Sequence, residues 1–557
     1  MTRYGAESSR KLNRMSTVSQ TEFQTSGLVR LTRSQLIGTL AGLLFALLLG
    51  AIDQTIVGTA EPRIIASLSG FDRYPWVTTA YLLSSTIAVP IFGKLSDIYG
   101  RKGFFLAGTS LFVIASALCG ASGTLNFLPF DGMSQLILFR GIQGLGAGMM
   151  IGLIFVIIGD IFSPVERGKY QALFAAVWGF ASMFGPTAGG WLTDQFSWRA
   201  TFYVNLPVGI LAVLAIYFEF PDLHQKGADR KIDWFGVASL ISCIVPLLLA
   251  LTWVTNYGWR STRVEALLAV AIVTLAAFLY AESKAAEPLI PLILFRNPVI
   301  STCSVAVFVL GMGMFGVIIY LPLFMQGVLG VSATQSGNLL TPLMMGAVAG
   351  SIVTGLTTAR LGSYKPSAIA GSILVAIGMI VFARMDGGTE RSYVVVGMVI
   401  AGLGMGLLQP VYTVAVQNSA PPEHMGAATA STAFFRSIGS TVGVAVFGSL
   451  LLTKFHSDFN AGIPSGTPAA ALAPFSNPLM LGAMRPQLEA AFGKYPGGLQ
   501  LLQVLLGNVR TALIHGLNRI FISSAVIMSL AVILHVMLKN VKLRGRRGDS
   551  VDQPPAH

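Results

Sequence analysis

Apolar stretches long enough to cross a bilayer recur fourteen times between about Gln35 and Lys539, and one long polar loop breaks their succession. A run of ~20 apolar residues matches the ~30 Å hydrocarbon core, where only helices or closed barrels satisfy their own backbone. Charged residues make up 11% of the chain, against ~25% in a soluble domain. The expected fold class is therefore an all-α polytopic membrane protein with fourteen transmembrane helices.

A formal charge of +13 would suit nucleic acid if the basic residues gathered on one surface. Their placement says otherwise. About 23 of the 37 Lys and Arg fall on the side holding both termini and about 7 in the short loops opposite, which is the positive-inside bias. Both termini are thus expected in the cytoplasm, in a bacterial inner membrane, with no nucleic-acid partner. Cys119, Cys243 and Cys303 each fall within an apolar span, and the histidines make no ligand-spaced pair. Neither a disulfide framework nor a metal site is expected, and no cofactor is called for.

Residues 1–34 read as a disordered basic extension without a signal-peptide core, and 541–557 as a basic tail. Between them, 35–222 reads as a six-helix bundle, 223–285 as two inserted helices, and 286–540 as a second six-helix bundle. The second bundle carries the long extracytoplasmic loop 454–510, rich in Pro, Gly and Ala. Helical periodicity from Gly498 to about Ile514 suggests an amphipathic helix lying on the membrane. The loop is a candidate contact for lipid or a periplasmic partner.

The division into two bundles rests on an internal repeat offset by about 260 residues. Gly93 and Gly100 return as Gly355 and Gly362, and Gly144-Leu145-Gly146-Ala147-Gly148 returns as Gly402-Leu403-Gly404-Met405-Gly406. Gly185 and Gly190 return as Gly443 and Gly448, and Pro62 and Gly70 as Pro322 and Gly330. Spans one to six therefore match nine to fourteen. Two six-helix halves related by an axis along the membrane normal are a transporter design.

Ionisable groups within spans are functional candidates, because each carries an insertion cost. Asp53 stands past the middle of span one with no cation near it in sequence, so it is a candidate proton carrier or one half of a structural ion pair. Arg140 in span four is the natural cation to face it. Glu61, eight residues on, shares its helical face and is either a proton entry station or a solvent-exposed group at the interface. Arg436 in span thirteen is a further buried cation whose partner the sequence does not identify.

The loop Gly93-Lys94-Leu95-Ser96-Asp97-Ile98-Tyr99-Gly100-Arg101-Lys102 pairs turn-permitting glycines with charge. Asp97 can cap a helix end in the partner bundle, and Arg101 can reach Asp160, which together would latch the bundles. The plainer reading of these charges is positive-inside bias alone. In span five, Gly185-Pro186 and Gly189-Gly190 combine a bend with close packing. The glycines at 144–148 superficially match phosphate-loop spacing, but they sit within a span and follow no strand.

Together these stretches resemble the fourteen-span drug/proton antiporter branch of the major facilitator superfamily, the EmrB- and QacA-like multidrug exporters. Asp53 to Val57 resembles the family's span-one motif and Gly93 to Lys102 its loop motif. Leu138 to Gly148 resembles the span-four motif, whose arginine is tied to proton transfer. Gly185-Pro186 with Gly189-Gly190 resembles the span-five motif that marks antiporters. Pro288 to Pro298 resembles the loop after span eight. Glu61 departs from the usual apolar residue, and Ala181 from an early glycine.

The resemblance implies a non-enzymatic, monomeric exporter. It would move amphipathic cationic or neutral organic small molecules against protons by alternating access, as in multidrug efflux. The alternatives are a dedicated exporter of a lipid, siderophore or amino acid, and proton-coupled uptake.

Overall fold

The computed structural model describes residues 32–162, 164–220, 233–285, 288, 290–421 and 425–539. The N-terminal extension through residue 31 and the basic tail from residue 540 lie outside the described residues. The first bundle is built from α1 (Arg33–Ser67), α2 (Tyr74–Tyr99), α3 (Arg101–Gly120), α4 (Gly132–Ile161), α5 (Pro164–Gln195) and α6 (Asn205–Glu219). The inserted pair is α7 (Trp234–Tyr257) and α8 (Thr262–Lys284). The second bundle is α9 (Pro298–Gly327), α10 (Ala333–Leu361), α11 (Lys365–Ala383), α12 (Arg391–Ser419), α13 (Met425–Ala461) and α14 (Gly498–Met537).

Local chemistry sets several helix starts. Thr32 and Gln35 form a capping box on α1, Asp233 caps α7, Asn297 caps α9 and Ser332 caps α10. Among the described residues, thirteen helices are long and apolar enough to span a membrane. The fourteenth, α5, is 32 residues long. It carries the Gly-Pro-Thr-Ala-Gly-Gly run that lowers its hydropathy.

The glycine repeat explains the bundle interiors. A Cβ on Gly144 or Gly148 would strike the α2 backbone at Tyr81 or Ser85, and one on Gly146 would strike α3 at Phe112. In the other half, Gly402 and Gly406 meet α10 at Leu343 and Ala347, and Gly404 meets α11 at Gly371. Both fourth helices are thus wedged between the second and third, at separations only glycine permits. The inserted α7 packs against both α2 and α13. Leu240, Ile244 and Leu248 cover the seam there, with Ile87 and Ala445.

The two bundles meet through α5 with α10, α2 with α13, and α1 with α9. The face where α1 begins and α14 ends is called here the terminus face. The contacts gather toward the opposite face. There Gly190 lies against Ala333, Pro186 against Gly337 and Pro75 against Gly448. Asp194 accepts from the Thr334 backbone N–H at 2.7 Å and from its hydroxyl at 2.6 Å, and His456 lies 3.0 Å from Asp72. Toward the terminus face, a Cβ on Gly93 or Gly355 would meet nothing within 4 Å. Among the described residues, the contacts between the bundles gather at the face opposite the termini, while Gly93 and Gly355 border open space at the other.

The long loop differs from its sequence expectation. No proline interrupts the chain between Gly498 and Met537, so the expected surface helix runs straight into the last span as one 40-residue helix. In the rest of the loop the helix Leu481–Phe492 packs on α14, while the stretch before it reaches the first bundle. Asn477 donates to the α1 carbonyls of Ile65 and Ala66 at 3.4 and 3.2 Å, and Phe455 meets Phe71 at 5.0 Å.

Candidate functional site

Asp53 is fully buried and accepts three hydrogen bonds from three side chains on two helices. Arg140 Nη1 donates to Oδ2 at 2.7 Å, while Gln143 Nε2 and Asn205 Nδ2 donate to Oδ1 at 2.9 Å each. Arg140 also donates to the Gln143 carbonyl oxygen at 2.8 Å and to the Val77 carbonyl at 3.3 Å, and lies over the Tyr81 ring at 4.2 Å. A buried ion pair persists only when its remaining donors and lone pairs are matched in this way. Ser116 completes the cluster, 3.1 Å from Asn205.

The helices dictate this convergence. Arg140 and Gln143 are three residues apart on α4 and share a face, and the glycine wedge brings that face close to α1. Asn205 opens α6, so its amide enters the core from the opposite end. Sequence reasoning singled out Asp53 and Arg140 but assigned nothing to Gln143, Asn205, Ser116 or Tyr81. The available signal was an amide in an otherwise apolar span, as Asn205 is in Val204-Asn205-Leu206.

Glu61 corrects the reading of it as exposed. It has no accessible surface, because α1 continues to Ser67 and the other bundle closes over its end. The Thr78 hydroxyl donates to its carboxylate at 3.2 Å. Close by, Tyr74 donates across the seam to the Ile319 carbonyl at 3.1 Å and stacks on Tyr320 with ring centroids 5.8 Å apart. Gln326 of α9 donates to the Thr59 carbonyl at 2.9 Å. Glu61 thus belongs to the sealed seam.

At the terminus face, Arg101 is buried and donates to Asp160 at 2.9 Å and to Ser96 at 2.8 Å. Gly100 has φ 100°, a conformation open to glycine, which lets α2 reverse directly into α3. Lys102 is half-buried. Asp97 lies in α2, and its side chain lies outside the described residues, so the expected cap is not placed. Arg101 and Asp160 both belong to the first bundle; their bond ties α3 to α4.

The span-five residues lie where α5 touches two helices at once. Gly185 and Gly189 approach Thr55 and Ile56 of α1, while Pro186 and Gly190 meet α10 of the other bundle. Thr59 donates to the Pro186 carbonyl at 3.2 Å.

Arg436 corrects another expectation. Its side chain is exposed, and the next residue, Ser437, touches Thr86 of the first bundle. Its Nη1 donates to Gln409 Oε1 at 3.2 Å.

Outside the spans, charge shifts follow local contacts. Burial raises the Asp194 carboxyl, and the bonds from Thr334 outweigh it, holding that carboxyl below the ordinary range. The Arg73 guanidinium, 2.6 Å away, holds Asp131 well below that range.

Two helical bundles with internally repeated packing, in contact toward the face opposite the termini, define a membrane transporter. The chain belongs to the Major Facilitator Superfamily, whose profile matches residues 43–444. It is a multi-pass membrane transport protein for small molecules, not an enzyme. It is 36% identical over 528 residues to the multidrug transporter protein MdtP of Bacillus subtilis, covering 92% of this chain and 94% of that one. It is 39% identical over 422 residues to multidrug resistance protein 3 of the same organism, covering 75% and 80%. Among solved structures it is similar to an inward-facing bacterial homolog of the human lysosomal transporter Spinster. That likeness has a TM-score of 0.58 at 16% identity, over 91% of this chain and 98% of that one. At such identity it speaks for the fold.

Proposed function

We propose that this protein is a proton-coupled antiporter that exports amphipathic organic compounds by alternating access, a multidrug efflux carrier. It would act as a monomer in a bacterial inner membrane with both termini in the cytoplasm. The observation that carries the reading is the sealed Asp53 cluster. With Asp53 charged, Arg140 neutralises it and ties α4 to α1. Adding a proton to Asp53 removes the charge behind that contact and leaves Arg140 held by the Val77 carbonyl, Gln143 and the Tyr81 face. A single proton thereby alters how α1, α2, α4 and α6 hold together.

Glu61, on the same face of α1 and within the sealed seam, is the next proton station toward the opposite face. The charged groups around Arg101, with Lys102 and Asp97 in the same loop, govern opening at the terminus face. Gly185-Pro186 and Gly189-Gly190 let α5 pivot on α1 while closing on α10. A proton descending ~150 mV releases ~3.5 kcal/mol, enough to sustain an about 300-fold gradient of a neutral compound moved one for one. The relatives' multidrug names support a broad substrate range over a dedicated physiological solute.

The deciding experiment is efflux of a fluorescent compound from everted vesicles under an imposed pH gradient. Asp53→Asn should abolish gradient-driven movement while leaving membrane expression intact. Unchanged transport by that variant would remove the proposed proton carrier.

A further inference from the structure

Arg436 of the second bundle has no carboxylate partner among the described residues. Between Pro298 and Lys454 the sequence has three carboxylates, Asp386, Glu390 and Glu423. All three lie outside α9 to α13, Asp386 and Glu390 before α12 and Glu423 before α13. Among the described residues none pairs with Arg436, whose hydrogen-bond partner is the neutral Gln409. The two carboxylates of the first bundle's core, Asp53 and Glu61, have no accessible surface. Of these three core charges, then, the exposed one is a cation and the two anions are buried.

Arg436 is also well placed to meet a ligand. The next residue, Ser437, makes a short hydrogen bond to Thr86 of the first bundle, so the guanidinium stands beside the line where the bundles meet. With the Gln409 carbonyl accepting from Arg436, the Gln409 amide N–H groups remain as further donors. A planar guanidinium with an amide donor beside it matches a carboxylate or sulfonate.

Resting on the transport reading above, we infer that Arg436, oriented by Gln409, is the specificity-determining group for an acidic head on an amphipathic substrate. The favoured cargo is an organic anion with an apolar body. A cationic compound gains nothing from this surface and is repelled by it.

The test uses full-length protein in phosphatidylcholine nanodiscs and two matched dyes, 8-anilinonaphthalene-1-sulfonate and uncharged N-phenyl-1-naphthylamine. Arg436→Gln should weaken the sulfonate about tenfold to a hundredfold, the range of a charge-assisted pair, and leave the neutral dye unchanged. Arg436→Lys should recover part of the loss. Gln409→Leu should weaken the sulfonate alone, by a smaller factor, which guards against a misfolded arginine variant. The inference is overturned if the wild type fails to bind the sulfonate, if Arg436→Gln weakens both dyes alike or neither, or if added phosphatidylglycerol displaces the sulfonate in proportion to its headgroup. That last result would make lipid phosphate the occupant. Vesicle transport separates this from the broader reading: if a pH gradient moves neither dye, the antiport proposal fails while the binding arm still decides the role of Arg436.

Discussion

Where the first bundle holds Asp53 and Arg140, the repeat places Gly313 and Met398 in the second, and where the second holds Arg436 the first has Trp178. The two halves share their close packing and divide their charge. In the first, a carboxylate and a guanidinium are wholly sealed and saturated with bonds. In the second, Gly313 lies against Met528 of α14, and the remaining cation is exposed. Backbone approach and charge placement are separable: glycines preserve the first in both halves, and single substitutions reassign the second. A sealed pair suits a group that must hold its proton apart from substrate, and an open cation suits one that must meet it.

The largest expected effect comes from breaking the sealed pair. Asp53→Asn leaves Arg140 buried without its counterion, a loss of ~3–5 kcal/mol, readable as a lower Tm in detergent. Asp53→Asn with Arg140→Gln removes both charges and should recover most of that Tm but none of the gradient-driven transport. Recovery of both would reduce the pair to a structural element.

Next is the contrast between the closed face and the terminus face. Gly337→Leu would force a side chain against Pro186 and Thr187 and so pry the sealed face apart. A cysteine substituted for Thr78 should then react with an impermeant maleimide many times faster. Gly355→Leu, where a Cβ meets nothing within 4 Å, should leave that labelling rate unchanged.

A smaller change is expected from Glu61→Gln, which keeps the shape of the seam and deletes its one titratable carboxyl on α1. Transport should become severalfold less sensitive to pH on the opposite side, with substrate affinity unaltered; a pure affinity change would place Glu61 at the substrate instead.

The smallest concerns Asp194. Its carboxyl lies below the ordinary range in the closed state, so its contribution to closure is complete above the ordinary carboxylate pKa and fades as pH falls through the lowered value. Asp194→Asn should flatten the acid-side dependence of closure, read by the same maleimide assay, at a cost of about 1 kcal/mol at neutral pH.

Much of the architecture was legible in the chain. Span length, the glycine offsets and the placement of Asp53 and Arg140 are local patterns, and bilayer thickness and backbone hydrogen bonding leave few alternatives to them. The exposed alternative for Glu61 and the buried reading of Arg436 failed for one shared reason. Depth along a span can be counted from sequence, whereas exposure depends on how far apart the bundles stand at that depth. Glu61 lies where they touch, whereas the Arg436 side chain is exposed. Asn205 escaped notice because its contacts span 152 positions to Asp53, and no periodicity links residues so distant.

The sequence by itself determined that this is a helical membrane transporter of two repeated bundles with an inserted pair, because hydropathy and glycine spacing act helix by helix. The tertiary structure alone decided which charges are hidden and which are open, since that follows from the rotation and tilt of helices brought together from distant parts of the chain.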